Sequence, residues 1–78
     1  MEIIESHHWK LKRPFRKDIE NYMLSYAVSN CKNPQTDKHH KNALDAVCRI
    51  PQTGKILKVV FRRLGKDSIK LITAYYLD

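Results

Sequence analysis

Apolar and polar residues alternate along three segments in the second half of the chain. In residues 43–50 every second position from Leu44 to Ile50 is apolar, with Asp45 and Arg49 on the other side. Residues 56–63 and 69–76 are rich in β-branched and aromatic residues, and glycine-containing turns separate the three segments. The pattern predicts a three-stranded antiparallel meander over residues 43–76.

The first half of the chain has a helical periodicity. Apolar residues recur at intervals of three and four positions, at Ile19, Tyr22, Met23, Tyr26 and Ala27. This spacing predicts a helix over residues 15–30, followed by a polar loop over residues 31–42. Trp9 to Lys12 alternates, so residues 1–14 are expected to be a basic strand or an ordered arm. The expected fold is a single α+β domain, residues 1–78, with one helix packed on an antiparallel sheet of three to four strands in the order (β)-α-β-β-β.

The charge balance of the chain bears on its binding partner rather than on its fold. Fifteen Lys and Arg stand against eight Asp and Glu in the 78 residues, giving a net charge of +7. Such an excess favours binding to a phosphate backbone, RNA first and DNA as an alternative, although a charged surface kept for solubility is the competing explanation. The expected binding residues are Lys10, Lys12, Arg13, Arg16, Lys17, Lys38, Lys41, Arg49, Lys58 and Arg63.

Cysteine usage and short motifs exclude several classes of protein. Cys31 and Cys48 make no disulfide framework, and the chain starts with no apolar signal segment, so a cytoplasmic location without membrane contact is expected. The spacing of cysteines and histidines matches no zinc pattern, and no glycine-rich phosphate loop is present. We therefore expect neither a metal nor a cofactor.

Three groups of residues suggest proton transfer or phosphate binding. His39 and His40 lie in the basic loop, and histidine is the side chain best suited to move protons near neutral pH, although exposed histidines without a catalytic role are an alternative. Strand alternation places Lys58 and Arg62 on one face of the sheet and Arg63 on the other. Tyr75 and Tyr76 end the last strand, where one can pack in the core and the other can stack on a base or donate a proton.

The closing segments, Ile56 to Phe61 and Ile69 to Tyr76, resemble the last hairpin of BrnT-like and RelE/ParE-like toxins of type II toxin–antitoxin systems. The resemblance implies a metal-independent endoribonuclease that a cognate antitoxin protein neutralises. It assigns functional roles to Tyr75 or Tyr76, to Arg62 or Arg63, and to His7 or His8. One departure is evident: Tyr75 stands after Thr-Ala, where the toxins usually carry arginine.

Residues and resemblance together predict a toxin-like endoribonuclease. The expected catalytic residues are His8, His40, Arg62, Tyr75 and Tyr76. Two other functions stay open, namely a nucleic-acid-binding module without catalysis and an interaction module for an acidic protein. A homodimer is also open, and every version of the function requires the cations to converge on one surface.

Overall fold

A five-stranded mixed sheet carries two short helices. The computed structural model describes residues 1–77, and its sheet has the strand order β1-β5-β4-β3-β2. The elements are β1 (Glu2–Glu5), α1 (His7–Lys12), a 3-10 turn (Arg13–Phe15), α2 (Asn21–Asn30), β2 (Gln35–Thr36), β3 (Leu44–Arg49), β4 (Ile56–Gly65) and β5 (Ser68–Tyr76). β1 pairs parallel with β5, and the other neighbouring strands pair antiparallel.

The predicted meander is present, and its alternation is as the sequence indicated. Ala46 is fully buried, and its neighbours on the same side of β3 pack against the main core. Lys58 and Arg62 lie on the opposite side of β4 from Phe61, which belongs to that core. A register shift separates Val60 from Phe61, where β5 contributes one extra residue to the ladder.

Both helices cover the same face of the sheet. The main core joins Trp9 of α1 and the buried side of α2 to apolar side chains of β3, β4 and β5. The other face bears a smaller apolar cluster made of Ala43, Val60 and Ile72. We call this second face the open face, and its polar members in the central strands include Asp45, Arg49, Lys58, Arg62, Lys70, Thr73 and Tyr75.

The prediction for residues 9–12 was wrong, because this segment is helical. Ser6 caps α1 by accepting a hydrogen bond from the backbone N–H of Trp9 at 3.1 Å. The indole of Trp9 is only 1% exposed, so burial of the largest side chain in the chain outweighs the local alternation. The sheet is also larger than expected, because β1 and the two-residue β2 extend it at its two edges. It is not purely antiparallel, because β1 pairs parallel with β5.

The predicted helix over residues 15–30 is shorter than expected and begins only at Asn21. Pro14 lies in the 3-10 turn, and an extended Glu20 precedes α2. Ile19 still reaches the core from the connecting loop, whereas Tyr22 is 47% exposed. Among residues 1–77, no helix has the length and apolar character needed to cross a membrane.

Candidate functional site

His8 and His40 are neighbours on the molecule although they come from α1 and from the loop before β3. Their ring centroids are 6.0 Å apart. α1 is fixed to the sheet through its capping residue, because the Ser6 hydroxyl donates to the carbonyl oxygen of Ile72 at 3.1 Å. The structure therefore brings together the two histidines that the sequence singled out separately.

His40 is held by a buried carboxylate. Its Nδ1 lies 2.8 Å from Oδ2 of Asp37, whose side chain is only 4% exposed. Oδ2 of Asp37 also accepts the backbone N–H of His39 at 3.0 Å, and the Asp37 N–H donates to Ala43 O at 2.9 Å. When Nδ1 donates to Asp37, Nε2 is left as the ring atom that can exchange a proton with a ligand.

Asp37 and Asp45 form a pair of carboxyl groups whose pKa values are shifted in opposite directions. Burial opposes the ionisation of Asp37, but hydrogen bonds from His40, from Asp45 and from backbone N–H groups lower its pKa to about 2. Burial and the neighbouring Asp37 carboxylate raise the pKa of Asp45. Oδ1 of Asp45 is the one buried side-chain oxygen in residues 1–77 without a hydrogen-bond donor beside it.

Lys58 connects the carboxyl pair to the tyrosine at the end of β5. Its Nζ lies 3.4 Å from Oδ2 of Asp45 and 5.7 Å from the ring centroid of Tyr75. Hydrogen bonding to the Tyr75 hydroxyl and the negative charge of Asp45 raise the pKa of Lys58, although burial opposes this. Lys58 is therefore a firmly charged ammonium on the open face.

Arg16 reaches the same tyrosine from the other side. Its Nη1 donates to the Thr73 hydroxyl at 3.0 Å, and its guanidinium carbon lies 5.8 Å from the Tyr75 ring centroid. Contacts thus run from His8 through His40 and the carboxyl pair to Lys58, Tyr75 and Arg16. We call this series the open-face network; its members are His8, Arg16, Asp37, His40, Asp45, Lys58, Thr73 and Tyr75.

Two of the expected catalytic residues have other contacts. Tyr76 lies on the helix-covered face, where it packs against the main core and its hydroxyl donates to Asp18 O at 3.4 Å. Burial, with the negative charge of Asp18 as the next cause, raises the pKa of Tyr76. Arg62 is on the open face, but Nε and Nη2 both donate to Lys41 O, at 3.1 and 2.9 Å. The guanidinium of Arg62 therefore fixes the loop that carries His40.

The expected binding cations divide into two groups. Lys10, Arg13, Arg16 and Lys17 line a groove of about 500 Å³, which we call the basic groove. Arg16 belongs to this groove and to the open-face network, so it joins the two. The remaining six binding candidates do not share one surface with the groove. Lys12 and Lys41 are exposed, Lys38 lines a small hollow beside Asp45, and Lys58 is paired with Asp45 on the open face. Arg49 donates to the carbonyl of Gly54, and Arg63 lies over the Phe61 ring.

Asp37, Asp45 and Thr73 belong to the network but were not predicted as site residues from the sequence. The acidic residues are scattered along the chain, and only the closure of residues 37–43 onto β3 brings Asp37 near Asp45. One signal was available: in a meander, Asp45 and Lys58 lie on facing strands. Within residues 1–77, no three His, Cys, Asp or Glu side chains are arranged so that they can hold a metal ion.

Comparison with known protein families, with curated proteins and with solved structures gives no match to this chain. The proposals below therefore rest on its own residues and on their geometry.

Proposed function

We propose that the protein is a metal-independent endoribonuclease whose active site is the open-face network. The observation that carries the proposal is the pair of histidines 6.0 Å apart, one of them bound through Nδ1 to a buried carboxylate. Rings this close together can each direct a nitrogen to the same phosphate group. Cleavage of RNA without a metal requires such a pair, a base and an acid.

The chemistry assigned to the pair is attack of a ribose 2′-hydroxyl on the adjacent phosphorus. His40 takes the proton of the 2′-hydroxyl, because the Asp37 carboxylate stabilises the imidazolium that forms. A bond forms between the 2′-oxygen and phosphorus, and the bond from phosphorus to the 5′-oxygen breaks. His8 gives its proton to that leaving oxygen. The products are a 2′,3′-cyclic phosphate and a free 5′-hydroxyl.

We assign to the two cations of the network, Lys58 and Arg16, the stabilisation of the charge that develops on phosphate oxygens. Lys58 carries its ammonium between Asp45 and Tyr75, and Arg16 directs its guanidinium to the same strand end. Donors that are already oriented in the ground state stabilise a transition state without further reorganisation. The Tyr75 hydroxyl is a further donor at this position, in line with the role predicted for the end of the last strand.

The test uses labelled single-stranded RNA, purified protein and EDTA. His8→Gln and His40→Gln are each expected to lower the cleavage rate about 10²- to 10⁴-fold, the usual contribution of an acid or a base. The chain supplies matched controls in the adjacent histidines, and His7→Gln and His39→Gln should cleave at nearly the wild-type rate. Products ending in 2′,3′-cyclic phosphate support the mechanism.

Two results would contradict the proposal. If the folded wild-type protein cleaves no RNA but binds it, the protein is a nucleic-acid-binding module. If cleavage occurs but the four histidine variants are equally active, a different set of residues performs the chemistry. An antitoxin partner and a homodimer stay predictions of the sequence analysis, and capture of a small acidic protein from nuclease-treated lysate tests the first of them.

A further inference from the structure

We propose that the basic groove holds a single-stranded segment of the RNA beside the cleavage site, with Phe15 as a stacking platform for an unpaired base. This inference rests on the proposed function and names the form of its substrate. Phe15 belongs to the 3-10 turn between Pro14 and Arg16, both of which line the groove.

Exposure of Phe15 is the first supporting observation. Its side chain is 85% exposed, the highest value among the large apolar residues described, and Leu11 in α1 is 59% exposed. An aromatic ring exposed on a turn that borders the groove has a free face on which a base can stack. A base in a duplex is already stacked on its neighbours, whereas an unpaired base offers its face to an aromatic ring.

The charge of the groove that borders this turn is the second observation. Between Ser6 and Asp18 no acidic residue occurs, and Lys10, Arg13 and Lys17 line the groove together with Arg16. Arg13 is paired with Glu5 at 2.8 Å, and Glu20 also lines the groove, so the cations are partly but not fully compensated. A groove lined by cations, with an exposed aromatic side chain on the adjoining turn, is typical of proteins that bind single-stranded nucleic acid.

Continuity with the active site is the third observation. Arg16 lines the groove and also contacts Thr73 and Tyr75 of the open-face network. A strand whose phosphates follow Lys10 and Lys17 can therefore also contact Arg16, which belongs to both surfaces. A surface for an acidic protein would use the same charges, but it gives no reason for Arg16 to link the groove to the proposed site.

The experiment measures binding separately from cleavage. The probe is a fluorescein-labelled 2′-O-methyl RNA decamer, which has no 2′-hydroxyl to attack phosphorus, and binding is followed by fluorescence anisotropy at several salt concentrations. Lys10→Gln combined with Lys17→Gln should reduce the slope of log affinity against log salt by about 1.4, since each phosphate contact of a single strand contributes about 0.7. Phe15→Ala should weaken binding about tenfold.

Matched control variants remove two lysine charges, or truncate one exposed apolar side chain, at positions outside the groove. Lys32→Gln combined with Lys66→Gln removes two charges from exposed positions outside the groove, and Leu64→Ala truncates a side chain that is 52% exposed. Both control variants should bind nearly as the wild type does. The inference is overturned if the control pair reduces the salt slope as much as the groove pair, if Phe15→Ala has no effect, or if a duplex or polyglutamate binds as tightly as the single strand.

The experiments distinguish failure of the groove inference from failure of the ribonuclease proposal. If the groove variants weaken binding of the decamer but the protein cleaves no RNA, the groove inference stands and the ribonuclease proposal fails. If the protein cleaves RNA through His8 and His40 but the groove variants match their controls, the ribonuclease proposal stands and the groove inference fails.

Discussion

Replacing Asp37 by Asn removes one negative charge from the loop that holds His40. In the folded protein the pKa of Asp37 falls from its ordinary value of 3.8 to about 2, because hydrogen bonds to the carboxylate outweigh its burial. Each tenfold change in acidity corresponds to roughly 1.4 kcal/mol. The ionised carboxylate therefore contributes about 2 kcal/mol to the free energy of unfolding. Since the side chain is only 4% exposed, screening by water reduces this value little.

The sign of the pH dependence follows from the lowered pKa. The contribution of Asp37 is fully present above pH 3.8 and is lost as the pH falls towards 2, because protons then bind more readily to the unfolded chain. Asp37→Asn should thus lower the free energy of unfolding by about 2 kcal/mol at pH 7. The difference from the wild type should shrink as the pH approaches the lowered pKa.

Asp45→Asn is the matched variant for this prediction. Burial and the neighbouring carboxylate raise the pKa of Asp45, so loss of its charge should cost less than loss of the Asp37 charge, and an amide N–H at this position can donate to Asp37. The substitution removes only the attraction between Asp45 Oδ2 and Lys58 Nζ, which lie 3.4 Å apart. We therefore expect the free energy of unfolding to change by less than about 1 kcal/mol at pH 7.

Urea unfolding followed by tryptophan fluorescence measures both variants. Trp9 is the single tryptophan of the chain and is 1% exposed, so its emission reports loss of the main core. Equal stability of Asp37→Asn and wild type at pH 7 would refute the reasoning. A loss in Asp45→Asn as large as that in Asp37→Asn would also refute it, because the two carboxyl groups would then be equivalent.

Three further substitutions test the supports of the site. Ser6→Ala removes the cap of α1 and the hydrogen bond to Ile72, and should lower the free energy of unfolding by about 1–2 kcal/mol in urea titrations; no change would mean that the cap is not needed. Gly54 has a φ of 73°, so Gly54→Ala should cost about 1 kcal/mol by the same assay, and an unchanged midpoint would contradict this. Arg16→Lys keeps the charge but loses the directed bond to Thr73, so kcat should fall about tenfold while the salt slope of binding stays constant; an unchanged kcat would remove Arg16 from the site.

The strands of the second half could be predicted because their side chains obey one simple rule. In β3 and β4 the residues that point to the helices are apolar and those on the open face are mixed, so alternation alone located both elements. The N-terminal half follows no such rule. Trp9 is placed by its burial in a core formed by distant strands, and β1 forms only because β5 offers it a parallel edge.

The candidate site could be predicted in its components but not in its connections. His8, His40, Lys58 and Tyr75 were named from residue type and strand position. Their proximity depends on long-range contacts, and the series includes a carboxylate that the sequence analysis left unassigned. Asp37 looks like a solvated loop residue in the sequence, and it is buried only because its backbone N–H pairs with Ala43 O.

A net charge of +7 gives little information about where an anion binds, because several cations already have partners. The guanidinium groups of Arg49 and Arg62 donate to backbone carbonyls, and Arg63 lies over an aromatic ring, so these three contribute mainly to the fold. Arg16 differs from them because it lines a groove and also donates to Thr73 on the open face. On the proposed function, we expect RNA to bind along residues 10–17 and at Lys58, because these cations adjoin the groove and the open-face network, rather than over the whole basic surface.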